Sequence, residues 1–264
     1  MKIHFRFYGL FFLFLLVLFS CDKQEDIQTK EVLGLEVHQE DHLEGNKEIN
    51  GFQIGYKVTS KDLNYYQVKV SINDVRITAS IDYSNEFIEI DGKNVILSTK
   101  EKETLLMLGE ELSMYLFKDG SVDNFTMAEF TLLRLLEYWA KSPNNYRYEK
   151  IVIKGSQTNL SKGNDEGITC IRKNTYVTAE YDDNNGQSFS DRKLVNGDRC
   201  LGRCGSGCPG IFTIASAWTK DCLDHDQCGR VLGGSTNPFD RNCGDEYGQA
   251  ADDFLFGVIR GCRG

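Results

Sequence analysis

His225 and Asp226 stand side by side between two cysteines, in the run Cys222-Leu223-Asp224-His225-Asp226-Gln227-Cys228. The other histidines are all at or before residue 42, so histidine chemistry beyond that point rests on His225. A free imidazole titrates near neutral pH and can take a proton from water without strong tuning. A neighbouring carboxylate offers oxygen to a hard cation. On a helix, Trp218, Cys222 and His225 are spaced four then three residues apart and share a face, with Asp226 one step round. Disulfides at Cys222 and Cys228 would hold that helix on both sides of His225, which is the positioning a catalytic base needs.

Upstream lies a glycine-rich stretch, Gly202-Arg203-Cys204-Gly205-Ser206-Gly207-Cys208-Pro209-Gly210. Glycines let main-chain carbonyls turn inward without side-chain interference, and carbonyls together with a carboxylate suit Ca²⁺. A zinc site fits poorly. Cys200, Cys204 and Cys208 are four apart, not Cys-x-x-Cys pairs, and an exported protein would oxidise them. A thiol hydrolase needs a free, activated cysteine, and the eight cysteines after Cys21 are an even number that can all pair. The acidic run Asp182-Asp183-Asn184-Asn185 reads as a turn.

The pattern Cys-x-x-His-Asp-x-Cys, preceded by a Cys-Gly-x-Gly loop, resembles secreted phospholipase A2 over roughly residues 198–260. The resemblance implies a mainly α, disulfide-rich domain that hydrolyses the sn-2 ester of glycerophospholipids with Ca²⁺. It implies His225 as general base and Asp226 as carboxylate ligand, with carbonyls of Arg203, Gly205 and Gly207 completing the metal site. It also implies the pairs Cys204–Cys222 and Cys228–Cys243. In that family an aspartate directly after a cysteine orients the histidine. Here Cys243 is followed by Gly244 and then Asp245, making Asp245 the first candidate, with Tyr247 and Asp252 behind it. The chain also departs from the family at Asp221, where a second cysteine is usual, at Cys208-Pro209 in the loop, and at Gly229 in place of a tyrosine.

The N-terminus carries an address. Lys2 and Arg6 precede an apolar run from Phe7 to Phe19, too short for the roughly 20 residues of a membrane span and suited to a signal peptide. The run ends Leu18-Phe19-Ser20-Cys21, which resembles a bacterial lipobox and implies a lipid on Cys21. The following Asp22-Lys23-Gln24-Glu25-Asp26 resembles a surface-export tag of Bacteroidetes lipoproteins. Eight cysteines remain, namely Cys170, Cys200, Cys204, Cys208, Cys222, Cys228, Cys243 and Cys262, and they suit an oxidising compartment. Cleaving the signal removes two basic residues and no acidic ones, taking the formal net charge from −9 to −11. So acidic a chain repels phosphate backbones, which argues against a nucleic-acid partner.

These readings set the expected organisation. Residues 1–20 form a lipoprotein signal peptide, and 21–50 a lipidated Cys21 with a flexible, charge-rich tether. Residues 51–155 form a small α+β domain. It has alternating strands such as Tyr66-Gln67-Val68-Lys69-Val70-Ser71-Ile72 and helices near 99–117 and 123–141. No catalytic constellation is legible there. Residues 156–167 read as a linker and 168–264 as the mainly α, disulfide-rich domain. That domain has a strand over 175–181, a turn at Asn184-Asn185-Gly186, and helices near 215–230 and 241–260. Two function classes follow. One is a membrane-anchored, Ca²⁺-dependent esterase acting on a phospholipid surface. The other is a cell-surface binding protein that uses the stapled scaffold without chemistry.

Overall fold

A computed structural model describes residues 30–31, 33–118, 124–154, 167–205, 208, 214–234 and 240–264. The stretch expected to be a signal peptide, Cys21, residues 156–166 of the expected linker 156–167 and Gly207 lie outside these residues. Among the described residues no helix is long and apolar enough to cross a membrane.

The N-terminal part is a seven-stranded antiparallel sheet in the order β1-β2-β3-β4-β5-β6-β9. Strands β1 (Leu35–His38), β2 (His42–Ile49), β3 (Phe52–Asp62), β4 (Tyr65–Ile72), β5 (Val75–Asp82) and β6 (Phe87–Asp91) form a meander. Strand β9 (Ile151–Lys154) returns to pair with β6. Period-two patterning places Val68, Val70 and Ile72 of β4, and Ile77, Ala79 and Ile81 of β5, on the covered face. Asn50-Gly51 turns β2 into β3 with positive φ at both residues. A two-strand ribbon, β7 (Val95–Ile96) with β8 (Arg147–Tyr148), flanks the helices.

Two helices cover the sheet. Helix α1 (Thr99–Leu116) opens with a Ser98/Glu101 capping box and α2 (Met127–Lys141) with a Thr126/Glu129 box. In each, two otherwise orphaned amides are satisfied reciprocally. Helix α2 buries a continuous run from Ala128 to Glu137, the signature of a helix packed on every side.

The stretch expected to be a tether up to residue 50 carries β1 and β2 instead. Leu43 and Ile49 are buried, and His38 Nε2 lies 2.7 Å from Glu129 Oε1 at the start of α2. Inward apolar residues, Leu35 on β1 and Leu43 and Ile49 on β2, dock two strands that otherwise carry many charged side chains.

The C-terminal part is not mainly helical, which corrects the fold class expected from the sequence. Strand β10 (Tyr176–Asp182) pairs with β11 (Ser188–Leu194) across the Asn184-Asn185-Gly186 turn. A 3₁₀ turn (Asp198–Cys200) and long loops follow, and the two helices are shorter than expected, α3 (Lys220–Val231) and α4 (Gly244–Phe256). β11 was missed because Ser-Phe-Ser-Asp-Arg-Lys-Leu has almost no apolar face; it forms by pairing with β10.

One apolar core crosses both parts. Ala217, Leu255, Phe256 and the Cys204–Cys222 pair belong to the same cluster as the sheet and α2. The ring of Phe256 meets Tyr83 edge-on, and Arg260 pairs with Glu86 at 2.6 Å.

Candidate functional site

Four disulfides fix the C-terminal part: Cys170–Cys262, Cys200–Cys208, Cys204–Cys222 and Cys228–Cys243. The last two pin α3 one turn on either side of His225. Polar ties from β10 set the two helices. The Glu180 amide donates to Asp224 on α3 at 2.9 Å, and the Asp182 amide to Glu246 on α4 at 3.0 Å. Lys220 closes the first tie with a 2.5 Å pair to Asp224.

A cavity of about 260 Å³ lies where three helices meet the glycine-rich loop. Helix α3 contributes Cys222, His225 and Asp226. Helix α4 contributes Tyr247, Ala250, Ala251 and Phe254, the i, i+3, i+4, i+7 set of one helical face. Helix α2 contributes Glu137, Tyr138 and Lys141, and the loop adds Arg203, Cys204 and Gly205. Its lining mixes the polar groups of His225, Asp226, Arg203, Glu137 and Lys141 with the aromatic and aliphatic side chains of Tyr138, Tyr247, Ala250, Ala251 and Phe254.

Asp226 Oδ2 accepts the Gly202 amide at 2.8 Å, tying the loop to α3. Burial pushes its carboxyl up to about 7; the Gly202 bond and the charges of Arg230 and Arg203 work in the other direction. Tyr247 packs edge-on to the His225 imidazole with ring centres 5.5 Å apart, and burial lifts its phenol to about 12, so it stays protonated. Gly205 has φ +100°, and a Cβ there would lie 3.0 Å from Glu137 Oε1 and 3.2 Å from Phe254. Only glycine lets the loop sit this close to α2 and α4.

Behind that loop, Arg134 and Glu137 form a buried ion pair at 2.9 Å. Arg134 also donates to the Ala215 carbonyl and to Ser216 Oγ, and its guanidinium lies 4.9 Å from the Phe254 ring centre. Arg203 donates to the same Ser216 Oγ at 2.6 Å. Helix α2 therefore sets the position of the segments on both sides of the cavity.

The structure brings His225, Asp226, Arg203 and Gly205 together. It does not bring Asp245 to them. Asp245 lines a separate, open cavity with Asp182, Asp183 and Asp240. The reason is helical phase: Asp245 is two residues, about 200°, from the Tyr247 face that meets His225. Asp252 belongs to a third group. One carboxylate oxygen each from Asp221, Asp252 and Asp253 lie within 4.8 Å of one another, all buried between α3 and α4. Among the described residues this trio is the group of carboxylates whose spacing could hold a metal ion.

Sequence reasoning missed the α2 residues and the buried trio. Glu137, Tyr138 and Lys141 sit in a helix that reads as core packing, and nothing local marks them. The trio did leave a signal: Asp252-Asp253 interrupts an otherwise apolar stretch, Ala250-Ala251 before and Phe254-Leu255-Phe256 after.

Glu246 carries a testable consequence. Burial, with Asp245 beside it, raises its carboxyl to about 8. A folded-state value above the unfolded one means that its stabilising contribution is complete below about pH 4.5 and is lost as pH rises through about 8. Glu246→Gln keeps an acceptor for the Asp182 amide without the charge. The variant is expected to melt higher than wild type at pH 9 and close to it at pH 5, measured by thermal denaturation. A wild-type melting temperature flat between the two pH values would contradict this.

Residues 165–264 match a family model described as Domain of unknown function (DUF8213). No curated protein and no solved structure matches. The expected membership of the phospholipase A2 family is thereby corrected. The C-terminal part matches a different family model, and the shared pattern reduces to a short His-Asp segment with its flanking cysteines. A seven-residue motif between disulfides is small enough to arise on another scaffold, and a hairpin-clamped pair of short helices is the scaffold here.

Proposed function

We propose that the cavity hydrolyses carboxylic esters carrying an apolar acyl group, with glycerophospholipids as the substrate class. The observation that carries this reading is that His225 and Asp226 line one cavity together with the apolar side chains of Tyr138, Ala250, Ala251 and Phe254. His225 takes the proton of an attacking water. Tyr247, packed against the imidazole edge, limits its rotation. The aromatic and aliphatic wall receives the acyl group and excludes bulk water.

The oxygen donors suit Ca²⁺. Asp226 supplies a carboxylate whose buried charge a cation would neutralise, and Arg203 and Gly205, whose carbonyls would complete the set, line the same cavity. Bound there, Ca²⁺ would supply a Lewis acid for the ester carbonyl. Extracellular calcium modules work with dissociation constants of roughly 10⁻⁴–10⁻³ M, so a sparse ligand set is adequate outside the cell. The protein with Ca²⁺ and phospholipid vesicles is expected to release fatty acid, and a chelator to stop the release. Hydrolysis undiminished by the chelator would remove the cation from the reading.

The setting is proposed to be a membrane surface reached through a lipid on Cys21, outside the described residues. Four disulfides support an oxidising compartment. Metabolic labelling with palmitate is expected to mark the wild-type protein and not Cys21→Ala; equal labelling of both would rule out that anchor.

A further inference from the structure

A second cavity of about 130 Å³ lies behind the first, between α2, α4 and β9. The two share Tyr138, Tyr247 and Ala251 as walls. The rest of its lining is Ser142, Pro143, Tyr146 and Ile153 from the N-terminal part and Gly248 of α4. Its lining is predominantly apolar, and the phenols that border it stay protonated: burial raises Tyr138, Tyr146 and Tyr247. Each cavity alone falls below the roughly 300–1,000 Å³ of sites for drug-sized ligands, and the two joined reach that range.

We propose that this rear cavity is an acyl-chain pocket, in which the N-terminal part sets the length of straight hydrocarbon chain the site accepts. The inference rests on the esterase reading and adds its specificity. A chain whose ester carbonyl lies near His225 runs along Ala250 and Ala251, passes between Tyr138 and Tyr247, and ends against Ile153. Tyr138, Tyr247 and Ala251 line both cavities, so a chain crossing from one to the other is bordered by two rings and one methyl group, which suits a linear alkyl chain. The far space holds only a handful of methylene groups, so branched or polycyclic groups are refused.

Ile153 tests the pocket because it borders the rear cavity alone and sits half-buried on the sheet edge, where β9 pairs with β6. Ile153→Trp shortens the pocket and Ile153→Ala lengthens it. Hydrolysis of para-nitrophenyl esters of increasing chain length is measured for wild type and both variants, each profile normalised to its own shortest ester. In parallel, affinities for straight-chain alkanols of the same lengths are measured by calorimetry. Each methylene that finds room is expected to tighten binding about fourfold, until the chain reaches the end wall. The break point moves to shorter chains in Ile153→Trp and to longer chains in Ile153→Ala, in both measurements. Superimposable length profiles for all three proteins would overturn the pocket while leaving the esterase reading intact. Alkanol break points that shift as stated, with no ester cleaved by wild type, would keep the pocket and remove the esterase.

Discussion

Replacing His225 by glutamine is expected to slow ester hydrolysis by about 10²- to 10⁴-fold, the usual worth of a positioned general base. His38 and His42 cannot substitute, since they lie beside Glu129 and Glu44 on the sheet. Glutamine approximates the imidazole in size and keeps hydrogen-bonding capacity, so the helix and its two disulfides should persist. The loss is expected in kcat, with KM little changed, because the acyl group is held by α2 and α4. Unfolding temperature and Ca²⁺ response, measured alongside, separate a lost base from a damaged fold. A parallel rise in KM would move His225 from base to binding residue.

The second large effect is on stability. Arg134→Met is expected to cost about 3–5 kcal/mol, since it removes one partner of a buried ion pair together with its other contacts. The guanidinium is almost completely buried, and it loses in one step Glu137, the Ala215 carbonyl, Ser216 Oγ and the face of Phe254. Pairing it with Glu137→Met should recover much of the loss, because replacing both ions by hydrocarbon is often close to neutral. Chemical denaturation of the two single variants and the double variant gives the coupling directly. A double variant no better than Arg134→Met alone would show that the contacts across to Ala215 and Ser216, not the ion pair, dominate.

The same residues explain what was legible in the sequence. Strands β4 and β6 announce themselves by period-two alternation, and α1 and α2 by apolar residues recurring at helical spacing, because these signals are local. β2 and β11 carry few inward apolar side chains and owe their order to their partners, so no window around them could show it. That His225, Asp226, Arg203 and Gly205 line one cavity follows from their short spacing in the chain and the Cys204–Cys222 disulfide between them. Asp245 failed as the orienting residue because a count along the chain ignores helical phase, and α4 turns it to the far side from Tyr247. Glu137, Tyr138 and Lys141 were illegible because they reach the cavity through a fold contact from more than sixty residues away in sequence. An apolar helix gives the same pattern whether its outer turn lines a core or a substrate wall.

The most direct measurement is fatty acid release from Ca²⁺-containing phospholipid vesicles by the wild-type protein and His225→Gln, at equal concentration and with matched melting temperatures. The expected result is steady release by wild type and release near the vesicle background by the variant. Equal release by the two proteins, or none by either, would contradict a hydrolytic centre at His225 and Asp226.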